Sequence, residues 1–247
     1  MMVDPGRPRA AEPITVIGGP QEEGFLGRQV GSMIRRAVKK AFRAVYWDIV
    51  HPLPPGPKIF VCTHHGWHDG YVLYHAITKL GVRSLDWIQE FQAFPLFAKV
   101  GGMPFPVDDP ATRTQTILRT SRLMRKEGRS LILFAEGRLH YGPEVLPFGE
   151  SFAFVADKVP QASLIPVAIR YEMALHERPE AFLRFGEPIA RGENLGERSR
   201  DALQALLTGL TMDIRDGNHR FDVLAEGTRD VNERWDMRQI PGRGGKS

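Results

Sequence analysis

Short apolar runs of strand length alternate with stretches of helical periodicity along most of this chain of 247 residues. The apolar runs lie at residues 58–63, 84–88, 103–107, 130–135, 163–171 and 181–185. Continuous apolar runs of this length are typical of strands buried on both faces of a sheet. Helical patterns lie between or after these runs, at residues 69–80, 112–126 and 203–214. Such alternation places helices over both faces of a sheet. The sequence therefore predicts a single α/β domain with a central, mostly buried β-sheet flanked by helices.

The segments outside this alternation differ in composition. Residues 1–24 are rich in proline, glycine and charge, and they are predicted to form a flexible arm. Residues 25–57 are predicted to form a basic amphipathic helix, over 28–50, and a proline-rich connector that cannot continue it. The α/β domain itself is predicted over 58–225, and residues 226–247 are predicted to be a polar C-terminal tail.

Composition excludes several classes of protein. A hydrophobic content of 42% with 25% charged residues is ordinary for a globular protein. The single cysteine, Cys62, excludes an intramolecular disulfide and suits a reducing compartment. The formal net charge of +4 favours an anionic surface or substrate but is too small to predict nucleic-acid binding. No apolar stretch has the length of a signal peptide or of a membrane-spanning helix, so we expect a cytoplasmic protein.

The predicted basic helix supports two interpretations. Its apolar positions follow three-four spacing, and its other face carries the basic residues Arg35, Arg36, Lys39, Lys40 and Arg43. A helix of this kind can lie in the headgroup region of an anionic bilayer. It can equally be a first core helix with a solvated basic back. The two interpretations are compatible if the helix docks on the edge of the domain, as expected for a protein peripheral to the inner face of the cell membrane.

The densest group of reactive side chains is Thr63-His64-His65-Gly66-Trp67-His68-Asp69, between a predicted strand and a predicted helix. The His-x4-Asp spacing allows the carboxylate of Asp69 to hold one ring nitrogen of His64, leaving the other to accept a proton from a hydroxyl. His64, His65, His68 and Asp69 also form a candidate metal site, because imidazole and carboxylate groups are ligands of zinc and iron. A metal-dependent hydrolase is therefore an alternative, and so is a non-catalytic, peripheral membrane-binding protein.

Further motifs follow in a fixed order. They are Glu90-Phe91 with residues 94–97 and 101–108, then Phe134-Ala135-Glu136-Gly137-Arg138, and then residues 146–148 with Ile165-Pro166-Val167. Together with the histidine motif, this set resembles the glycerolipid acyltransferase family, the 1-acylglycerol-3-phosphate and lysophospholipid acyltransferases that carry His-x4-Asp. The resemblance covers about residues 55 to 190 and implies a glycerol-3-phosphate acyltransferase-like fold for the catalytic domain.

The resemblance implies an acyltransferase of phospholipid biosynthesis, transferring groups other than amino-acyl groups. Its donor would be acyl-CoA or acyl-carrier protein and its acceptor a lipid-like hydroxyl at a membrane surface, with no metal or other cofactor. His64 would be the base, and Asp69 would orient it. Glu136, Gly137 and Arg138 would line the acceptor side, and Pro166 the acyl-donor side. Backbone amides near Gly66 or Gly137 are candidates for the oxyanion hole.

Two departures from the family pattern, and one match that lies out of order, bear on substrate and assignment. Gly66 stands where the family usually has a small polar residue. The second block ends in Asp108-Asp109 instead of Asp-Arg, which predicts a lipid or glycolipid hydroxyl as acceptor in preference to lysophosphatidic acid. Residues 225–229 spell the family's Glu-Gly-Thr-Arg more faithfully than residues 136–138, but they lie out of order. No apolar strand is predicted before them, so we interpret this match as chance.

Overall fold

The computed structural model describes residues 24–217 and 219–235. Its elements are α1 Gly24–Ala41, β1 Ala44–Ile49, β2 Lys58–Cys62, α2 Asp69–Lys79, β3 Ser84–Ile88, β4 Gly102–Pro104, α3 Pro110–Glu127, β5 Ser130–Leu133, α4 Glu150–Lys158, β6 Ser163–Glu172, β7 Glu180–Phe185, α5 Leu195–Asp216, β8 Asp222–Glu226 and α6 Val231–Arg234. Two 3-10 turns, Phe91–Ala93 and Pro95–Val100, precede β4.

The strands form one eight-stranded sheet in the order β4-β3-β5-β2-β6-β7-β1-β8. Its first five strands pair in parallel, whereas β7 is antiparallel to β6 and β8 is antiparallel to β1. Helices α1 and α2 pack on one face of the sheet, and α3, α4 and α5 pack on the other. β2 lies centrally and is buried along its whole length, as its continuous apolar run predicts. The predicted α/β fold, a buried sheet between two helical layers, is confirmed.

The predicted helix over 28–50 is wrong beyond Ala41. Residues 44–49 form β1, which pairs in parallel with β7 and antiparallel with β8. The apolar spacing of α1 continues by coincidence into this run, which the sheet orders as a strand rich in branched and aromatic side chains. The sheet therefore begins before residue 58, the predicted start of the domain. Strand β8 and helix α4 were not predicted.

The N-terminal helix packs its apolar face on the domain. Val30 and Ile34 are buried with Tyr74 and Val100, so the core-helix interpretation of this face is correct. No helix in residues 24–217 and 219–235 has the length and apolarity that crossing a membrane requires. Arg43 lies beyond the helix and bridges two carboxylates, Glu180 at 3.0 Å and Glu233 at 2.7 Å, so it is not part of a free basic face. The predicted arm lies outside the described residues except for Gly24, and so does most of the predicted tail.

The out-of-order motif at 225–229 has a structural explanation. A strand, β8, does precede it, contrary to our expectation. The N–H of Gly227 donates to the carbonyl of Arg43 at 2.9 Å, and the N–H of Thr228 donates to that of Phe42 at 3.0 Å. A Cβ atom at Gly227 would overlap the Phe42 carbonyl, so glycine is required by the close approach of two backbones.

Candidate active site

The two motifs predicted to act together lie at one edge of the sheet. β2 and β5 are adjacent and parallel, so the loops that follow them, at residues 63–68 and 134–138, leave the sheet at the same end. In an open α/β sheet, this carboxyl end of the strands is where ligands bind. The fold thus brings His64 and the Glu136-Gly137-Arg138 segment together, as the sequence predicted.

His64 and Asp69 form a hydrogen-bonded pair. The Nδ1 atom of His64 lies 3.0 Å from Oδ2 of Asp69, whose side chain is fully buried as the first residue of α2. The same oxygen accepts the backbone N–H of Gly66 at 2.9 Å. The side chain of His64 is 24% exposed and lines a cleft. Because Nδ1 faces the carboxylate, Nε2 is the nitrogen available to a substrate hydroxyl.

An aromatic ring fixes the plane of the imidazole. Phe134, the residue after β5, stacks on His64 with ring centroids 4.1 Å apart and an interplanar angle of 23°. Asp69 holds one edge of the imidazole and Phe134 covers one face. Two constraints of this kind fix the direction of Nε2 before any substrate binds, which is what a general base requires.

Tyr171 is a further member of the site that the sequence analysis did not find. It lies near the end of β6, and its hydroxyl donates a hydrogen bond to Oδ1 of Asp69. Burial, together with the neighbouring charge of Asp69, raises the pKa of Tyr171 well above its usual value, so the phenol keeps its proton. The Asp69 carboxylate therefore accepts hydrogen bonds from His64, Gly66 and Tyr171.

Tyr171 also explains why residue 66 is glycine. A Cβ atom at Gly66 would overlap the Tyr171 ring. The ring is also packed against Phe42, on which it stacks at a centroid distance of 5.3 Å with an interplanar angle of 12°. The departure from the family pattern at Gly66 is thus linked to a tyrosine about a hundred residues away in sequence.

Glu136 lies behind the loop at residues 63–68 instead of in the cleft. Its carboxylate is fully buried. It accepts the backbone N–H groups of His64 at 3.2 Å and Leu146 at 2.7 Å, and it contacts Nε2 of His140 at 2.6 Å. These contacts connect the loops that follow β2 and β5 to the segment before α4. The carboxylate that was predicted to touch the acceptor is instead fully used within the protein.

The remaining predicted residues divide between the cleft and the core. Gly137 and Arg138 are exposed and line the cleft with His64, as predicted for the acceptor side. Pro166 is buried within β6, where it pairs with Val61, and it lines neither the cleft nor the cavity described next. It therefore has no contact with the cleft through which it could touch a donor.

A narrower cavity opens beside the cleft. The cleft has a volume of about 490 Å³ and the cavity a volume of about 160 Å³. Trp67, Gly70, Asp86 and Ile88 line both spaces, so the two meet there. The rest of the cavity wall is mostly apolar and aromatic and comes from α1, α2, the second 3-10 turn and the sheet; it includes Ile34, Tyr71, Tyr74, Phe97, Val100 and Ile132.

Residues 47–170, half of the chain, match the family model described as Acyltransferase. The chain belongs to this acyltransferase family. The family predicted from the sequence is thereby confirmed.

Two known proteins are similar to this chain. One is the lyso-ornithine lipid O-acyltransferase of Brucella abortus (strain 2308), 29% identical over 123 residues, which are 47% of this chain and 45% of that protein. The chain therefore spans less than half of that relative's length. The other is the crystal structure of the 1-acyl-sn-glycerophosphate acyltransferase PlsC from Thermotoga maritima. It is 18% identical, and the match covers 78% of this chain and 80% of that one with a TM-score of 0.49.

The cleft contains an arginine that the sequence analysis did not assign to the site. Asp109 caps α3, and its carboxylate accepts the N–H of Thr112 at 2.9 Å and the hydroxyl of Thr112 at 2.6 Å. Asp109 therefore serves as a helix cap, and it does not line the cleft. Arg113 lines the cleft instead, with its guanidinium 5.1 Å from the centroid of the Phe105 ring.

The structure does not bring His64, His65, His68 and Asp69 together as the predicted metal site requires. Nδ1 of His64 is paired with Asp69, while the ring of His68 packs edge-on against Phe42 at 5.3 Å and against Trp67 at 5.0 Å. The only group of three metal-ligating side chains that converges within the described part of the chain is His65, Glu136 and His140. It includes neither His64 nor Asp69.

Two backbone donors are already used within the protein. The N–H of Gly66 donates to Asp69, and the N–H of Gly137 donates to the carbonyl of Phe134 at 3.0 Å. Neither of these two groups is free to stabilise an oxyanion.

Cys62 is buried, and burial raises the pKa of its thiol, as expected of a cysteine that packs as a small hydrophobic residue.

Proposed function

We propose that this protein is an O-acyltransferase that moves an acyl chain from acyl-CoA or acyl-carrier protein to a hydroxyl group of a lipid-like acceptor. The observation that carries the proposal is the oriented His64–Asp69 pair at the wall of a cleft that continues into an apolar cavity. The cleft gives room to a polar headgroup, and the cavity suits a hydrocarbon chain. The thioester donor is a co-substrate, and the proposed chemistry uses no metal or bound cofactor.

The proposed reaction is a direct transfer. Nε2 of His64 takes the proton of the acceptor hydroxyl as the oxygen attacks the thioester carbonyl. The tetrahedral intermediate then collapses, the carbon–sulfur bond breaks, and the departing thiolate takes the proton back from His64. Asp69 stabilises the imidazolium that exists between these steps and keeps the tautomer that leaves Nε2 free. The acceptor supplies the nucleophile, so no acyl-enzyme is formed.

The neighbouring residues receive distinct roles in this proposal. Tyr171 and Gly66 position Asp69 through hydrogen bonds to its two oxygens. Glu136 positions His64 by accepting its backbone N–H, in place of the predicted contact with the acceptor. Arg138, on the exposed side of the cleft, would contact the acceptor headgroup.

We propose that the acceptor carries an anionic headgroup. Arg113 and Arg138 both line the cleft, and guanidinium groups bind phosphate and carboxylate well. This revises the preference for a lipid or glycolipid hydroxyl over lysophosphatidic acid that the Asp108-Asp109 sequence suggested, because Asp109 caps a helix. Lysophospholipids meet this description, and the lyso-ornithine lipid named for the Brucella abortus relative is a further candidate to test.

We also propose that the protein binds the inner face of the cell membrane peripherally through α1. Phe25 and Leu26, at the start of the helix, are 67% and 50% exposed, and Lys39 and Lys40 are exposed near its end. Exposed apolar side chains combined with basic ones are typical of helices that bind anionic lipid surfaces.

Thiol release and product mass spectrometry test the proposal together. Acyl-CoA or acyl-carrier protein would be supplied with lysophosphatidic acid, lyso-ornithine lipid or neutral monoacylglycerol. We expect acylated product with an anionic acceptor, and His64→Ala should lower turnover by roughly 10²–10⁴-fold. His68→Ala, in the same loop, is the matched control and should retain most activity. Liposome binding with no thiol release for any acceptor would indicate a non-catalytic membrane protein. Loss of activity in His68→Ala but not in His64→Ala would contradict the assignment of the base.

A further inference from the structure

One oxygen of a carboxyl group stands without a hydrogen-bond partner where the cavity meets the cleft. Asp86 is the third residue of β3, and its side chain lines both spaces. Its Oδ1 atom is buried and makes no hydrogen bond within the described structure. Its Oδ2 atom lies on the side of Gly70, 3.6 Å from where a Cβ atom of that residue would stand. A polar atom left unpaired in this way costs about 1–3 kcal/mol, so its presence calls for an explanation.

Asp86 does not belong to the His64–Asp69 pair. The Asp69 carboxylate is held by His64, Gly66 and Tyr171, and no hydrogen bond joins it or His64 to Asp86 in the described structure. Burial raises the pKa of Asp86 to about 7, against the opposing effects of the nearby His64 charge and the Trp87 N–H. A protonated carboxyl can both donate and accept a hydrogen bond, unlike the ionised form.

The surroundings of Asp86 define what could reach it. The cavity of about 160 Å³ is of the size that holds a benzene-sized apolar ligand, and its wall is mostly aliphatic and aromatic. On the proposed function, on which this inference rests, its occupant is a hydrocarbon chain whose reacting end lies near His64. Such a chain passes Asp86 at the entrance of the cavity.

We propose that Asp86 binds a hydroxyl group carried by this hydrocarbon chain near its reacting end, and so selects hydroxylated chains over plain ones. A hydroxyl can accept from and donate to the carboxyl, which satisfies the unpaired oxygen. An ammonium group would bring a second charge into a largely apolar cavity, where desolvation is costly. The hydroxylated chain is either the acyl chain of the donor or the chain already present on the acceptor.

Paired substrates and paired variants test the inference. In one arm, 3-hydroxymyristoyl-CoA is compared with myristoyl-CoA on one acceptor. In the other arm, acceptors with and without a chain hydroxyl are compared using myristoyl-CoA. We expect a preference of about tenfold in kcat/KM for the hydroxylated member in one of the two arms, the size expected of one neutral hydrogen bond. The arm that responds identifies which chain occupies the cavity.

Asp86→Leu should abolish that preference, so that the hydroxylated and the plain chain are transferred with similar kcat/KM. Removing an unpaired carboxyl in favour of an apolar group of similar size should not lower the unfolding temperature, so misfolding is not expected to obscure the result. Ile88→Leu changes the shape of the same wall without changing its polarity, and it should keep the preference.

The possible outcomes separate this inference from the proposed function. Absence of transfer to every acceptor would defeat the proposed function. Transfer with equal rates for hydroxylated and plain chains in both arms would overturn the role of Asp86 alone, and so would a preference that persists in Asp86→Leu.

Discussion

Adding one methyl group at Gly66 should disrupt the active site through Tyr171. The Cβ of Gly66→Ala would overlap the Tyr171 ring, approaching its Cζ and Cδ2 atoms at 2.9 and 3.0 Å. Phe42 stacks on one face of the ring. A shift of the ring that makes room for the methyl group should move its hydroxyl away from Asp69, so a change in the loop at residues 63–68 is expected to reach the carboxylate through β6.

The expected loss can be worked out from these contacts. A hydrogen bond to a charged group contributes about 1.5–3 kcal/mol. Overpacking by one methyl group in a well-packed region costs about 1–3 kcal/mol. Gly66→Ala should therefore lower the free energy of unfolding by about 3–5 kcal/mol. Turnover should fall by at least about tenfold, the factor that corresponds to about 1.4 kcal/mol in a barrier.

A double-mutant cycle with Tyr171→Leu tests the cause. Urea unfolding and thiol release would be measured for the original protein, the single variants and the double variant. Because the smaller side chain leaves room for the methyl group, the double variant should be more stable than the sum of the single effects by about 1–3 kcal/mol. Tyr171→Phe keeps the ring and removes only the hydroxyl, so Gly66→Ala should remain harmful on that background. Additive effects with Tyr171→Leu, within about 0.5 kcal/mol, would refute the reasoning.

Three further predictions concern pH, metal and membrane. Because the pKa of Asp86 is raised to about 7, the folded protein keeps a proton that the unfolded chain releases above pH about 4. The contribution of this group to the free energy of unfolding is therefore complete below pH about 4 and declines as the pH rises to about 7. The free energy of unfolding in urea should therefore fall between pH 5 and about 7.5, and it should fall less in Asp86→Leu. Equal pH dependence of the free energy of unfolding in the two proteins would contradict this prediction. EDTA should leave turnover unchanged, whereas one tightly held zinc per chain by elemental analysis would favour a metalloenzyme. Charge reversal of Arg36, Lys39 and Lys40 should weaken co-sedimentation with anionic liposomes, at about 1 kcal/mol for each basic group, without changing hydrolysis of acyl-CoA in water. Unchanged co-sedimentation would leave α1 as a structural helix alone.

Local patterns were sufficient to predict the parts of the site that lie in one short segment. The continuous apolar run of β2 and the His-x4-Asp spacing are properties of neighbouring residues, and the structure places His64 and Asp69 in contact at the end of that strand. The same holds for Gly137 and Arg138, which follow a buried strand and line the cleft.

Contacts between distant segments could not be predicted from local sequence patterns. Tyr171 reaches Asp69 because β6 lies beside β2, and nothing in the local sequence of β6 indicates that pairing. In the sequence, Asp86 is a polar residue within a mostly apolar run. Only the fold shows that its Oδ1 atom has no hydrogen-bond partner. The end of α1 was misplaced because β1 continues its apolar spacing, and only pairing with β7 distinguishes the two elements.

The place of β1 in the sheet determines which fragments of this chain can be produced. β1 lies between β7 and β8, so a protein that started at residue 58 would leave β7 as an open edge. Every residue of β7 is buried, and an exposed edge of that kind invites pairing with other chains. The match to the family model begins at Trp47, inside β1, and a fragment cut there would lose half of the strand. Fragments for expression should therefore begin before α1 and continue through β8, since shorter ones are expected to aggregate.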